Sequence, residues 1–183
     1  MGIHNSKELR KLTPTEEQIK NRHKNPIYLV LDNVWDTYNI GSMFRLADAI
    51  GAAKVYLCGN MEFPPNSRIH KAAVGTENWV PWEKRDTAHE VILELKEKGV
   101  QTIAVEQSDR SIVWKDYSPS FPVALVAGHE SDGVTQEALE VVDVIVELPM
   151  YGFNKSFNVW GTTAVMAYKV LETLETTKKG QRG

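Results

Sequence analysis

From Ile27 onward the chain alternates short apolar runs with stretches of helical periodicity, and that alternation leaves it few architectures to choose from. The runs are Ile27–Leu31, Val55–Cys58, Gln101–Val105, Val123–Ala127 and Val142–Leu148. Helical patterns lie between and after them, at about 39–50, 86–98, 134–140 and 156–174. Short continuous apolar runs separated by helices are strands whose two faces are both covered. The fold class is therefore α/β, a mostly parallel sheet with helices on both faces. Residues 60–80 are less regular, with a short helix predicted at Arg68–Ala73 and a short extended piece at Trp79–Trp82. Upstream, Thr13-Pro14-Thr15-Glu16 predicts a helix start with Thr13 as cap, Pro14 as first helical residue and Glu16 closing a capping box.

Length and charge divide the chain. At 183 residues it can build one core without disulfides or metals. Residues 1–25 carry six Lys/Arg against three acids, residues 176–183 three against none, and residues 26–175 twelve against twenty-one. The reading is a basic N-terminal extension (1–25), a folded domain (26–175) and a basic tail (176–183). If the partner is a polyanion, the ends and local patches must attract it, because the body repels it. Equally, such ends can be plain solvated tails. The single cysteine, Cys58, cannot form an internal disulfide and reads as core filler. With no apolar leader and no long uncharged apolar run, the expectation is a cytoplasmic protein without a membrane segment.

In parallel sheets ligands collect at the carboxyl ends of strands. Here those ends carry Asp32-Asn33, Glu106-Gln107-Ser108, Gly128-His129-Glu130 and Pro149-Met150. No glycine-rich dinucleotide loop follows a strand, since Gly51-Ala52-Ala53 precedes one, and no phosphate-binding P-loop occurs. Nor do His and Cys fall at metal-ligand spacing.

Three stretches carry the chemistry. Asn39-Ile40-Gly41-Ser42-Met43-Phe44-Arg45 opens the first helix of the domain, with Asn39 as its cap. Gly41 there admits another backbone, and Arg45, at the margin of the apolar face, is placed to hold a phosphate. In Ala124–Val134 a buried strand runs into Gly128, a turn displays Glu130, and Gly133 precedes the next helix. Glycines on both sides of a carboxylate imply close backbone approach around it, while His129 reads as a solvated loop residue. Finally, Val146–Trp160 begins as a strand, turns through Pro149 and Gly152, and enters the last helix with Ser156 and Asn158 in its first turn, where free N–H groups favour polar ligand atoms.

Taken in order, these stretches resemble the three motifs of the SpoU-type RNA 2′-O-ribose methyltransferases of the SPOUT superfamily, over roughly Ile27–Leu174 and including Lys71-Ala72-Ala73-Val74-Gly75. The resemblance implies a C-terminal trefoil knot, which physical priors alone would argue against. It also implies a homodimer, S-adenosyl-L-methionine as cofactor, and RNA as substrate, tRNA first and rRNA next. By the same implication, Gln107, Ala127, Gly128, Leu148 and Met150 hold the cofactor, with Ser156 and Asn158 closing the pocket. Asn39, Arg45, Glu130, Ser156 and Asn158 form the catalytic set, Glu130 and Asn39 orienting Arg45 and the ribose. Arg45 would face the partner's cofactor. As a guanidinium with a pKa of about 12.5 or higher it makes a poor base at neutral pH, and holding phosphate and developing alkoxide is its easier role. No metal is implied. The family pattern has a small hydroxyl residue where this chain has Trp160, which either lines the pocket or packs against the sheet with Gly161 relieving the crowding. A base methyltransferase of the same superfamily, or a catalytically silent RNA-binding dimer, are the alternatives.

Overall fold

The computed structural model describes residues 13–180. Seven parallel strands make one sheet: β1 (Asn25–Asp32), β2 (Ala52–Cys58), β3 (Trp82–Arg85), β4 (Gln101–Val105), β5 (Ile112–Val113), β6 (Val123–Ala127) and β7 (Val144–Glu147), in the spatial order β3-β2-β1-β6-β4-β7-β5. The helices are α1 (Glu16–Lys20), α2 (Thr37–Ala49), α3 (Ser67–Ala73), α4 (Ala88–Glu97), α5 (Gln136–Val141) and α6 (Val159–Gly180), with a 3-10 turn at Thr76–Asn78.

The continuous apolar runs have a direct cause. Ile27, Leu29 and Leu31 of β1 and Val123, Leu125 and Ala127 of β6 point into a core shared with Phe44 and Met43 of α2, Ile69 of α3 and Met166 and Val170 of α6. Their neighbours Val30, Ala124 and Val126 point the other way, against Val91, Ile92 and Leu95 of α4 and Ala138 of α5. With both faces covered, residues of both parities are apolar along the middles of these strands.

Where expectation and structure differ, the reasons are local. The cap of α1 is Thr15, whose capping box is closed by Gln18, rather than Thr13 with Glu16. The extended piece at Trp79–Trp82 instead becomes a strand starting at Trp82, because Thr76–Asn78 winds into a 3-10 turn and the Trp79 indole N–H donates to Asp48 on α2 at 2.8 Å. β3 is an edge strand and its sequence, Trp-Glu-Lys-Arg, is charged: Lys54 pairs with Glu83, and Arg85 with Glu94 at 2.6 Å. An edge rung of this kind has no apolar run to announce it. The last helix starts at Val159 instead of 156 and continues to Gly180, so Thr176–Gly180 of the expected tail are helical. Residues 1–12 and 181–183, which hold much of the basic charge read from the ends, lie outside the described residues. Arg22, within the N-terminal extension, joins the body: its guanidinium donates to the carbonyls of Ala47 (3.3 Å) and Ala52 (3.0 Å) and lies 3.8 Å from Asp48. Burial lowers its pKa against the opposing pull of Asp48.

Candidate active site

The carboxyl ends of β4, β6 and β7 open onto a cavity of about 240 Å³. β4 contributes Val105, Glu106 and Gln107, the turn after β6 contributes Gly128, His129 and Glu130, β7 contributes Glu147, and the loop leading to α6 contributes Leu148, Met150, Lys155, Ser156 and Phe157. Gly128 permits this shape. A Cβ there would stand 2.1 Å from the carbonyl carbon of Gly133 and 2.2 Å from the Val134 nitrogen, so the turn folds back onto itself only because the side chain is absent. Gly133 has φ +73° and exchanges backbone hydrogen bonds with His129 at 2.9 and 3.0 Å. Glu106 closes the other side, accepting from the N–H groups of Gln107 (2.9 Å) and Val134 (3.1 Å).

Beside the cavity, side chains from all three sequence stretches meet in one hydrogen-bonded chain. The Glu130 carboxylate accepts from the backbone N–H groups of Trp35 and Asp36 (both 2.9 Å) and from the Asn39 amide (2.7 Å). The Asn39 carbonyl oxygen accepts in turn from the Asn158 amide (3.1 Å), and Asn158 caps α6 by accepting from Trp160 N–H (3.0 Å). Asn39, 4% exposed, is the link between the other two, ninety-one residues from Glu130 and one hundred and nineteen from Asn158. It does not cap α2. That role falls to Asp36, which accepts from Tyr38 N–H at 2.8 Å, while Asn39 sits within the first turn.

These contacts decide what Glu130 can do. Burial alone raises the pKa of its carboxyl, but the amide of Asn39 and the N–H groups of Trp35 and Asp36 outweigh it and hold the group below the ordinary carboxylate range. With three donors on its two oxygens and a lowered pKa, Glu130 is a poor proton acceptor at neutral pH and a good clamp for the start of α2.

The expected site residues distribute as follows. Gln107, Gly128, Glu130, Leu148, Met150 and Ser156 line the cavity. Asn39 and Asn158 join its wall through Glu130, whereas Ala127 is 1% exposed and packs in the core behind it. Ser156 is not in the helix. It lies in the exposed loop before α6, its hydroxyl 3.2 Å from Asn154 Oδ1, and the loop is tied to the β4 end by the Gln107 amide donating to the Lys155 carbonyl at 2.8 Å. Arg45 is exposed on α2, and among the described residues it has no ion pair or hydrogen bond to Glu130 or Asn39. Trp160 neither lines the cavity nor packs in the core: it is 42% exposed on α6, and the residue Gly161 accommodates is Phe157, whose Cε1 would lie 2.8 Å from a Cβ there. Sequence reasoning missed Val105, Glu106, Glu147, Lys155 and Phe157 as cavity residues, and His129, expected in solvent, lines the cavity with its side chain 25% exposed, its Nδ1 accepting from the N–H groups of Ser131 (3.1 Å) and Asp132 (3.2 Å). Val105 and Glu106 were visible beside Gln107 at a strand end; nothing in sequence aimed Glu147, Lys155 and Phe157 inward.

A parallel sheet with its cleft at the carboxyl rim, assembled from a glycine-shaped turn and the loop before the last helix, defines an α/β protein with the SpoU-type methyltransferase fold. The match to the SpoU rRNA Methylase family model covers residues 26–168, and the chain belongs to that family. It is 28% identical over 151 residues to the tRNA (guanosine(18)-2′-O)-methyltransferase of Escherichia coli K12, covering 81% of this chain and 64% of that relative, so the chain spans somewhat less than two thirds of its length. The crystal structure of the A. aeolicus TrmH/SpoU tRNA modifying enzyme superposes with a TM-score of 0.79 at 27% identity, over 89% of this chain and 85% of the other. The AdoMet-bound rRNA methyltransferase from Sinorhizobium meliloti gives 0.75 at 25% identity, over 85% and 60%.

Proposed function

We propose that this protein transfers a methyl group from S-adenosyl-L-methionine to a ribose 2′-hydroxyl of RNA, with tRNA the first substrate to test and rRNA the next. The observation that carries the reading is the Glu130–Asn39–Asn158 chain, which fastens the three motif stretches together beside one cavity. Family membership and relatives named as tRNA and 23S rRNA guanosine 2′-O-methyltransferases support it, as does the likeness to an AdoMet-bound rRNA methyltransferase.

The cavity lining suits this cofactor. Val105, Leu148, Met150 and Phe157 offer apolar surface for an adenine, the carboxylates of Glu106 and Glu147 suit hydroxyl donors and a cationic centre, and Lys155 suits a carboxylate. Gln107, Gly128, Leu148, Met150 and Ser156 would hold the cofactor, and bound there it supplies a methyl group made electrophilic by a sulfonium. What the chain must add is alignment and a route for the hydroxyl proton. Glu130 fixes the start of α2 and the Asn39 amide, Asn39 fixes Asn158, and the ribose is positioned against these polar groups. Arg45 stabilises the developing alkoxide and an adjoining phosphate from the partner subunit of a homodimer. Support for the dimer comes from the apolar stripe that α6 leaves in solvent, Trp160, Val165 and Tyr168. The knot implied by the resemblance and the phosphate-binding role of residues 1–25 belong to the same proposal. Among the described residues no helix is long and apolar enough to cross a membrane.

The test is a map of ribose methylation across total tRNA and rRNA from cells with and without the gene, followed by transfer of labelled methyl to the affected RNA by the purified protein. A nucleoside lacking 2′-O-methyl only in the deletion strain is the expected result. Label confined to a base would replace this reading with base methylation. Lack of S-adenosylmethionine binding by calorimetry would leave an RNA-binding dimer.

A further inference from the structure

Next to the cavity runs a second cleft, of about 490 Å³, which the reaction described above does not use. It is lined by Trp35, Asp36 and Thr37 at the start of α2, by Asn60, Met61 and Glu62 after β2, and by Arg68 on α3. The two hollows share a wall. The N–H groups of Trp35 and Asp36 are held by Glu130, which lines the cavity, and the Trp35 ring meets the ring of His129, another cavity residue, edge-on at 6.4 Å between centroids and 60° between planes.

Trp35 is the anomaly. A tryptophan 65% exposed buries little of its apolar surface, although its backbone N–H is held by Glu130 at 2.9 Å. Its indole meets His129 edge-on and leaves a broad face in solvent. The charged residues of the cleft are not equivalent. Asp36 is engaged in capping α2, and Glu62 accepts from the Asn66 amide at 3.1 Å. Arg68 is exposed, and among the described residues its guanidinium has no ion pair and no hydrogen bond. An exposed aromatic face lining the same cleft as an uncommitted guanidinium is what an unpaired nucleotide requires: bases stack on aromatic rings whatever their identity, and arginine takes the phosphate.

Resting on the RNA methyl transfer proposed above, we propose that Trp35 stacks a base of the RNA beside the target ribose and that Arg68 holds the phosphate of that nucleotide. The cleft then fixes the strand on which the ribose is carried. It reads unpaired structure rather than sequence.

The test uses the full chain with unfractionated tRNA, following affinity over a series of salt concentrations, tryptophan emission, and methyl incorporation. Trp35→Ala is expected to weaken binding about tenfold or more, within the range a single stack contributes, and Trp35→Phe to restore most of it. Stacking quenches indole emission, so the part of the quench that belongs to Trp35 disappears in both variants. Arg68→Gln should shallow the salt dependence by roughly 0.7 to 0.9 in log–log slope, the loss of one phosphate contact. Unchanged affinity and unchanged quench in Trp35→Ala overturn the proposal. Should that variant fail to fold, unchanged quench in Trp35→Phe together with an unchanged slope in Arg68→Gln overturns it instead. Wild-type protein that methylates tRNA with kinetics indifferent to Trp35 and Arg68 would sink this inference and leave the activity standing. Protein that binds tRNA with all three variant effects yet transfers no methyl would do the reverse.

Discussion

Glu130 shows how much of a side chain's setting lies outside its own stretch of sequence. Its place between two glycines marked it in the sequence, yet the partners that define it, Trp35, Asp36 and Asn39, come from a segment more than ninety residues away. Because the folded protein holds this carboxyl below its ordinary range, the stability it contributes is complete above the unfolded value of about pH 4.3 and is lost as pH falls through the lowered folded value. Urea titrations from pH 7 down to pH 3 should show Glu130→Gln less stable than wild type at neutral pH, with the gap narrowing in acid. A gap independent of pH would mean that the carboxylate charge is not what the three donors hold. Glu94 adds to the acid limb in both proteins, since hydrogen bonds from Lys98 and Arg85 hold its carboxyl down at about 2. Cys58 is a simpler case. Burial, helped by Asp32, pushes its thiol up to about 12. A disulfide reagent at pH 8 is expected to leave Cys58 unmodified in the native protein and to label it fully in denaturant; rapid native labelling would contradict its burial.

Among the elements, legibility followed burial. Strands with both faces in the core announced themselves, since the middles of β1, β2, β4 and β6 run through apolar residues of both parities. The edges did not. β3 is held by charged rungs and β5, Ile112–Val113, is too short to read as a strand, and the loop Leu148–Phe157 is tied to the β4 end by a Gln107 bond that no local pattern encodes. Gly41 was legible for a physical reason, the closeness of another backbone, but the neighbour was not: it is α3, with Ala72 Cβ 2.5 Å and the Ile69 carbonyl oxygen 2.7 Å from where a Cβ would stand. Because two of the three nearest atoms are main chain, α3 must shift as a body to admit a methyl group. Gly41→Ala is therefore expected to cost about 1–3 kcal/mol in chemical denaturation, despite alanine's better helix propensity. A neutral or stabilising result would show that the α2–α3 seam yields freely.

At the scale of the whole molecule the question is where Arg45 acts. One chain alone gathers Asn39, Glu130 and Asn158 at the cavity and leaves Arg45 in solvent, and the same chain leaves Trp160, Val165 and Tyr168 of α6 exposed. A second copy docked on that apolar stripe is proposed to cover it and to bring its own Arg45 to the first copy's cleft. Two measurements follow from this arrangement. Tyr168→Asp puts a charge into the stripe and should shift sedimentation from dimer to monomer with methyl transfer lost, while the monomer keeps its helical signal because Tyr168 lies outside the core. The sharper measurement mixes Arg45→Ala and Asn158→Ala, each expected to be inactive by itself, unfolding and refolding them together in equal amounts. If each site combines the cleft of one chain with the arginine of the other, half the dimers are mixed and each of those has one site with neither lesion, so about a quarter of wild-type activity should return. If Arg45 serves its own chain's cleft, every site keeps a lesion and the mixture stays as inactive as its parts, which would place the arginine in cis and remove the catalytic reason for pairing.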